Sequence, residues 1–176
     1  MNIYRCRVCG ETYLGSEAPT HCPFCGAHRE LIVESREYPA GINEVDLTES
    51  EREDLRAAVE LETSNTRFYL AAAQRRDNDT LRSYFKRLAK VEAEHCEVFS
   101  KLLGAPTPDD LMTPSESTGD WLTDIEESLK RENRATGLYR TFAQRATNER
   151  IREVFAAVAD VETDHIALDE VAKTYL

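Results

Sequence analysis

The chain has 176 residues, 41% of them hydrophobic, and a formal net charge of −11, which suits one sizeable domain plus a small one around a real core. The acidity argues against a basic face for nucleic acid or an anionic membrane. No charged-then-apolar leader opens the chain and no run approaches the ~20 apolar residues of a bilayer span, so a cytoplasmic protein with no nucleic-acid or membrane partner is expected.

Four of the five cysteines fall at the start of the chain, as Cys6-x-x-Cys9 and Cys22-x-x-Cys25. This is a metal-knuckle spacing rather than a disulfide scaffold, in keeping with a reducing compartment. Gly10 and Gly26 follow the second cysteine of each pair and Pro23 follows Cys22, so tight turns bring backbone amides towards the sulfurs. Four thiolates so placed make a tetrahedral site for zinc or for one iron, and the knuckles alone do not choose between them. Tyr4, Tyr13 and Phe24 supply a small apolar cluster beside the site. His21 and His28 flank the knuckles and read as surface residues, since four cysteines already complete the ligand set. This metal domain is taken as residues 1–35, followed by a linker over 36–47 in which Pro39 and Gly41 break any helix.

Residues 48–176 carry a helical pattern. Thr48 with Glu51 forms a capping box ahead of an acidic first turn, and the first helix is expected to run to about Arg76 with Leu55, Val59, Glu62, Tyr69 and Ala73 inward. The short Asp77–Thr80 turn makes the second helix its antiparallel neighbour. In that helix Leu81, Phe85, Leu88, Glu92, His95, Phe99 and Leu102 recur in steps of four and three on one face. Gly104, Pro106, Pro108 and Pro114 stop it near Leu103. The connector that follows, roughly fifteen residues to about Thr118, reaches about 50 Å when extended, against a helix on the order of 35 Å long. It can therefore bring the third helix back parallel to the second. The third helix turns Trp121, Ile125, Leu129, Glu132, Tyr139 and Phe142 inward, and the fourth follows the Thr147-Asn148 turn with Ile151, Phe155, Val158, Glu162 and His165.

The two helix pairs repeat each other. Glu92-Ala-Glu-His95 is answered by Glu162-Thr-Asp-His165, Glu62 by Glu132, Tyr69 by Tyr139 and Phe85 by Phe155. Each pair thus offers one Glu on its first helix and a Glu-x-x-His on its second, the ligand set of ferritin-like di-iron or di-manganese four-helix bundles. An unpaired carboxylate in an apolar core costs several kcal/mol even after relaxation, and four together repel. Two divalent cations offset that charge, and carboxylate with imidazole suits iron or manganese. Tyr69 and Tyr139 lie on the ligand face and are placed to hydrogen-bond ligand carboxylates or simply to pack. Cys96 points away from that face and reads as a small buried apolar residue.

A Cys-x-x-Cys-Gly and Cys-Pro-x-Cys-Gly domain joined to a duplicated helix pair bearing Glu62, Glu92, His95, Glu132, Glu162 and His165 resembles the rubrerythrin family over nearly the whole chain. The domain order resembles that of the reverse rubrerythrins. The resemblance implies a mainly α fold, a ferritin-like four-helix bundle with a small N-terminal rubredoxin-like four-cysteine metal domain. It further implies a non-haem di-iron peroxidase that reduces hydrogen peroxide to water in oxidative-stress defence. The six bundle residues would hold two irons, Glu92 and Glu162 bridging, and Cys6, Cys9, Cys22 and Cys25 would hold one iron, with zinc as the alternative. Electrons would come from a separate NADH- or NADPH-dependent reductase or a rubredoxin-type donor, and the family suggests a head-to-tail homodimer. One departure stands out: the extra Glu that the family usually carries one turn beyond the third-helix ligand is replaced by Ala135. A symmetric six-ligand site also suits a ferroxidase or oxygen-reducing ferritin-like iron protein, and a third reading is a non-enzymatic zinc-ribbon interaction module on a helical bundle.

Overall fold

A computed structural model describes residues 1–116 and 118–176. Its N-terminal segment is built around the two knuckles. Strand β1 (Asn2–Cys6) lies between β2 (Thr12–Gly15) and β3 (Ile32–Glu34) in an antiparallel sheet of order β2-β1-β3. The β1–β2 turn is the first knuckle. Gly10 takes φ +84° there, a left-handed conformation that costs other residues, and its N–H donates to the Cys6 carbonyl at 2.8 Å. Gly26 does the same in the second knuckle, at φ +77° with its N–H 3.0 Å from the Cys22 carbonyl.

Four helices follow: α1 (Glu49–Ala72), α2 (Asp79–Leu103), α3 (Trp121–Arg145) and α4 (Glu149–Ala172). Each N-terminus is capped by a side chain, Thr48, Asn78, Asp120 or Asn148, and the Thr48–Glu51 capping box is complete. Gly104 closes α2 in the left-handed conformation, at φ +70°. The first helix stops at Ala72, short of the expected Arg76. The chain tightens there through Gln74 N–H to Ala71 O and Arg75 N–H to Ala72 O, and the Arg75 guanidinium lies 4.6 Å from the centre of the Trp121 ring.

Helix directions follow from side-chain pairings. Tyr69 of α1 donates to Glu132 of α3, and Tyr139 of α3 donates to Glu62 of α1, so α1 and α3 are antiparallel. With α1 and α2 joined by a short turn, α2 and α3 are parallel, as the long connector permits. That connector runs back along α1, where Arg67 donates to the Thr113 carbonyl at 3.1 Å and Ser115 N–H donates to the Arg67 carbonyl at 3.0 Å. At its far end Trp121 stacks on Phe85 and donates to Asp77.

The apolar interior falls into two clusters. One, around Phe99, Tyr139 and Phe155, continues into the cysteine domain, and the other, around Phe85, Ile125 and Trp121, closes the opposite end. Between them lie the ligand-type residues of all four helices. The cysteine domain sits directly on the bundle. Arg150 of α4 donates to the Arg7 carbonyl at 2.6 Å and the Val8 carbonyl at 3.2 Å, and Gly26 packs so closely that an added Cβ would lie 2.6 Å from Val161. Among the described residues no helix is long and apolar enough to cross a membrane.

Candidate metal centres

Steps of three and four along each helix bring Glu62, Glu92, His95, Glu132 and Glu162 to complete burial and leave His165 only 4% exposed. Their polar atoms form two overlapping groups, Glu62–Glu92–His95–Glu162 and Glu92–Glu132–Glu162–His165, each with donor atoms within 4.8 Å of one another. Glu92 and Glu162 belong to both. His95 Nδ1 lies 3.1 Å from Glu92 and 3.2 Å from Glu162, while His165 Nδ1 lies 2.9 Å from Glu162 and 3.1 Å from Glu92. Glu62 stands 3.9 Å from His95 Nδ1, and Glu132 stands 3.6 Å from His165 Nδ1.

The four carboxylates divide into two kinds, Glu92 and Glu162 being drawn below the ordinary range by the two histidines although burial opposes it. Burial first, then the neighbouring Glu92 and Glu162 carboxylates, push Glu62 and Glu132 well above the ordinary range. Burial opposes the imidazolium form of both histidines, yet the carboxylates prevail and raise both: Glu162 chiefly at His95, Glu92 chiefly at His165. Glu62 Oε2 and Glu132 Oε2 are buried without a hydrogen-bond partner, and Glu92 Oε1 and Glu162 Oε1 meet only the histidine nitrogens, at 3.1 and 3.2 Å. Buried oxygens are seldom left so unless an ion supplies the missing partner. The donor set, four carboxylates with two imidazoles, therefore fits a pair of divalent metal ions.

Outside the ligand atoms the two tyrosines cross over. Tyr69 hydrogen-bonds the glutamate of α3 and Tyr139 that of α1, so each carboxylate is oriented from the opposite helix pair. Ser128 lies 2.9 Å from the Tyr69 hydroxyl. Asp169, fully buried one turn beyond His165, accepts from Tyr84 at 2.8 Å, and burial raises its carboxyl to about 6 against the opposing pull of Ser128 and Tyr84. Asp169 escaped the motif reading, although its signal was present as a carboxylate on an apolar stripe where the first copy has Phe99. Ala135 is completely buried, so no carboxylate stands where the family's usual extra Glu would be. Cys96 is also buried, with its thiol pushed up by burial and set beside Thr63 at 3.6 Å.

The four N-terminal cysteines converge, with Cys6 and Cys25 sulfurs 3.6 Å apart and Cys9 and Cys22 sulfurs 3.8 Å apart. Hydrogen bonding to Cys22 pushes the Cys9 and Cys25 thiols up, while hydrogen bonding to Cys25 draws Cys22 down. Protons shared in this way among four sulfurs mark a donor set matched to one cation. His21 and His28 take no part in it. They meet instead at Asp164 of α4.

The two sites touch. His95 Nε2 lies 2.8 Å from the backbone carbonyl oxygen of Cys25, so its N–H donates to a residue of the cysteine site while Nδ1 faces the carboxylates. On the other side His165 lines a cavity of about 550 Å³ whose wall includes Cys22, Gly26, Tyr84, Leu88, Val161 and Leu168.

Comparison with known proteins gives two family matches. The rubrerythrin rubredoxin-like domain matches residues 4–31 and rubrerythrin matches residues 53–123, in that order along the chain. The chain is also 34% identical over 115 residues to reverse rubrerythrin-1 of Clostridium acetobutylicum, a match covering 59% of this chain and 63% of that protein. No solved structure matches.

Proposed function

This chain belongs to the rubrerythrin family, with its rubredoxin-like domain ahead of the bundle, and from that premise we propose that it is a non-haem di-iron peroxidase that reduces hydrogen peroxide to water. Glu62, Glu92, His95, Glu132, Glu162 and His165 would hold the iron pair, Glu92 and Glu162 being shared, and Cys6, Cys9, Cys22 and Cys25 would hold a single iron. Iron held by these residues would supply the two electrons that, with two protons, convert peroxide to two waters, and iron held by the four cysteines would return electrons one at a time.

The observation that carries this reading is the His95–Cys25 hydrogen bond. Cys25 contributes both a sulfur to one cluster and the carbonyl that His95 Nε2–H meets at 2.8 Å. A path from that sulfur to His95 Nδ1 therefore needs a single hydrogen bond, which a storage site would not require. Tyr69 and Tyr139 fix the outer carboxylates, and the apolar residues on either side keep bulk water from the carboxylate layer. Asp169, its carboxyl raised by burial to about 6 and accepting from Tyr84 at 2.8 Å, is placed to take up and release a proton one turn from His165. Electrons would be fed by a separate NAD(P)H-dependent reductase or a rubredoxin-type donor, and the working protein would be a cytoplasmic homodimer.

Ala135 favours one second reading, an iron-oxidising or oxygen-reducing protein, because the site has six ligand residues arranged symmetrically. One experiment separates the two. The protein is loaded with iron without oxygen, reduced, and mixed with peroxide or with air-saturated buffer. The peroxidase reading expects oxidation to be faster with peroxide and the thiolate-to-iron absorption to follow it. Equal rates with air, or a thiolate site that stays reduced, would overturn it.

A further inference from the structure

We propose that His21, His28 and Asp164 form a third metal site, a zinc-binding staple between the cysteine domain and α4. These residues belong to neither centre described above, and the inference is independent of the reaction they perform. His21 and His28 pair across an isolated antiparallel bridge, and their rings meet edge-on with centroids 5.0 Å apart. Both turn Nε2 towards the same oxygen, Asp164 Oδ2, at 3.6 Å from His21 and 2.7 Å from His28. All three donor atoms lie within 4.8 Å of one another.

The opposite ring nitrogens face oxygens as well. His21 Nδ1 lies 3.2 Å from Thr20 Oγ1, and His28 Nδ1 lies 3.9 Å from Glu30. Outer oxygens at the second ring nitrogen are what orient imidazole ligands in metal sites. Two imidazoles and one carboxylate, with a fourth position open to water, match zinc's tetrahedral preference. Side-chain exposures of 55% for His21, 32% for His28 and 44% for Asp164 leave the ion a way in. Bound there, zinc ties the domain carrying the thiolates to the helix carrying Glu162 and His165.

The test uses the full chain with iron in both centres, equilibrated with micromolar zinc and analysed for both metals. One zinc per chain should be gained with no loss of iron, and the thermal midpoint should rise with zinc concentration. His21→Ala, His28→Ala and Asp164→Asn should each abolish both effects, and Thr20→Val should weaken zinc binding by about tenfold. No zinc uptake, uptake matched by iron release, or uptake unchanged in the exposed-site variant His21→Ala would each overturn the proposal.

Discussion

The two halves of the bundle carry the same candidate ligands, a Glu and a Glu-x-x-His, in different surroundings. In the first half His95 is tied through Nε2 to Cys25, and the next turn of its helix presents Phe99 to the core. In the second half His165 borders a cavity, and the next turn presents Asp169, paired with Tyr84. Duplication accounts for the shared ligand set, and the outer residues break the symmetry. One side of the layer touches the cysteine site. The other has a buried carboxyl, Asp169, and a cavity that Cys22 and Gly26 help to wall.

That contrast can be broken outright by removing what the halves share. Glu62→Ala combined with Glu132→Ala should empty the bundle of metal and lower peroxide reduction by more than about a hundredfold, since even outer partners of ligands are worth 10–100-fold. Metal analysis and stopped-flow kinetics read both effects. Disturbing the seat of the cysteine domain on α4 should be milder. Gly26→Ala puts a side chain at φ +77° and 2.6 Å from Val161, lifting the knuckle from the bundle. Turnover with an external reductant should fall about tenfold or more, while one round of oxidation of the pre-reduced protein keeps its rate.

In the second half, Asp169→Asn should slow that single round several-fold and leave reduction through the cysteine site unchanged. Glu51 tests the frame beneath both halves. Its carboxylate accepts from the backbone N–H groups of Thr48, Thr147 and Asn148, which outweigh its burial and hold it down at about 2. A lowered folded value means that this stability is complete above about 4.5 and is lost as pH falls towards about 2. Glu51→Ala should cost about 2 kcal/mol near neutral pH and flatten that part of the acid unfolding curve. Cys96→Ala should change least, costing about 1 kcal/mol in denaturant unfolding with no effect on turnover.

Much of this architecture was legible in the residue pattern. Steps of three and four named the inward faces, and Glu92 and His95 stood out because they interrupt an apolar stripe. The cysteine spacing and its glycines announced the knuckles. Periodicity says which face turns inward but not which residue it meets, so the exchange of Tyr69 and Tyr139 between helix pairs could not be read. The Cys25 contact was invisible because its acceptor is a backbone carbonyl that any residue would carry. His21 and His28 looked like plain surface residues since Asp164, their common neighbour, lies far along the chain.

The long connector has a consequence for how this chain assembles. Both helical hairpins are built from short-range contacts and can form quickly by themselves, whereas the layer between them needs segments far apart in sequence to meet. What meets there is four buried carboxylates and two histidines, the donor set proposed to hold metal. Metal loading is therefore expected to act on the docking of the two hairpins more than on helix formation. Chelation should part the hairpins while leaving most of their helices intact.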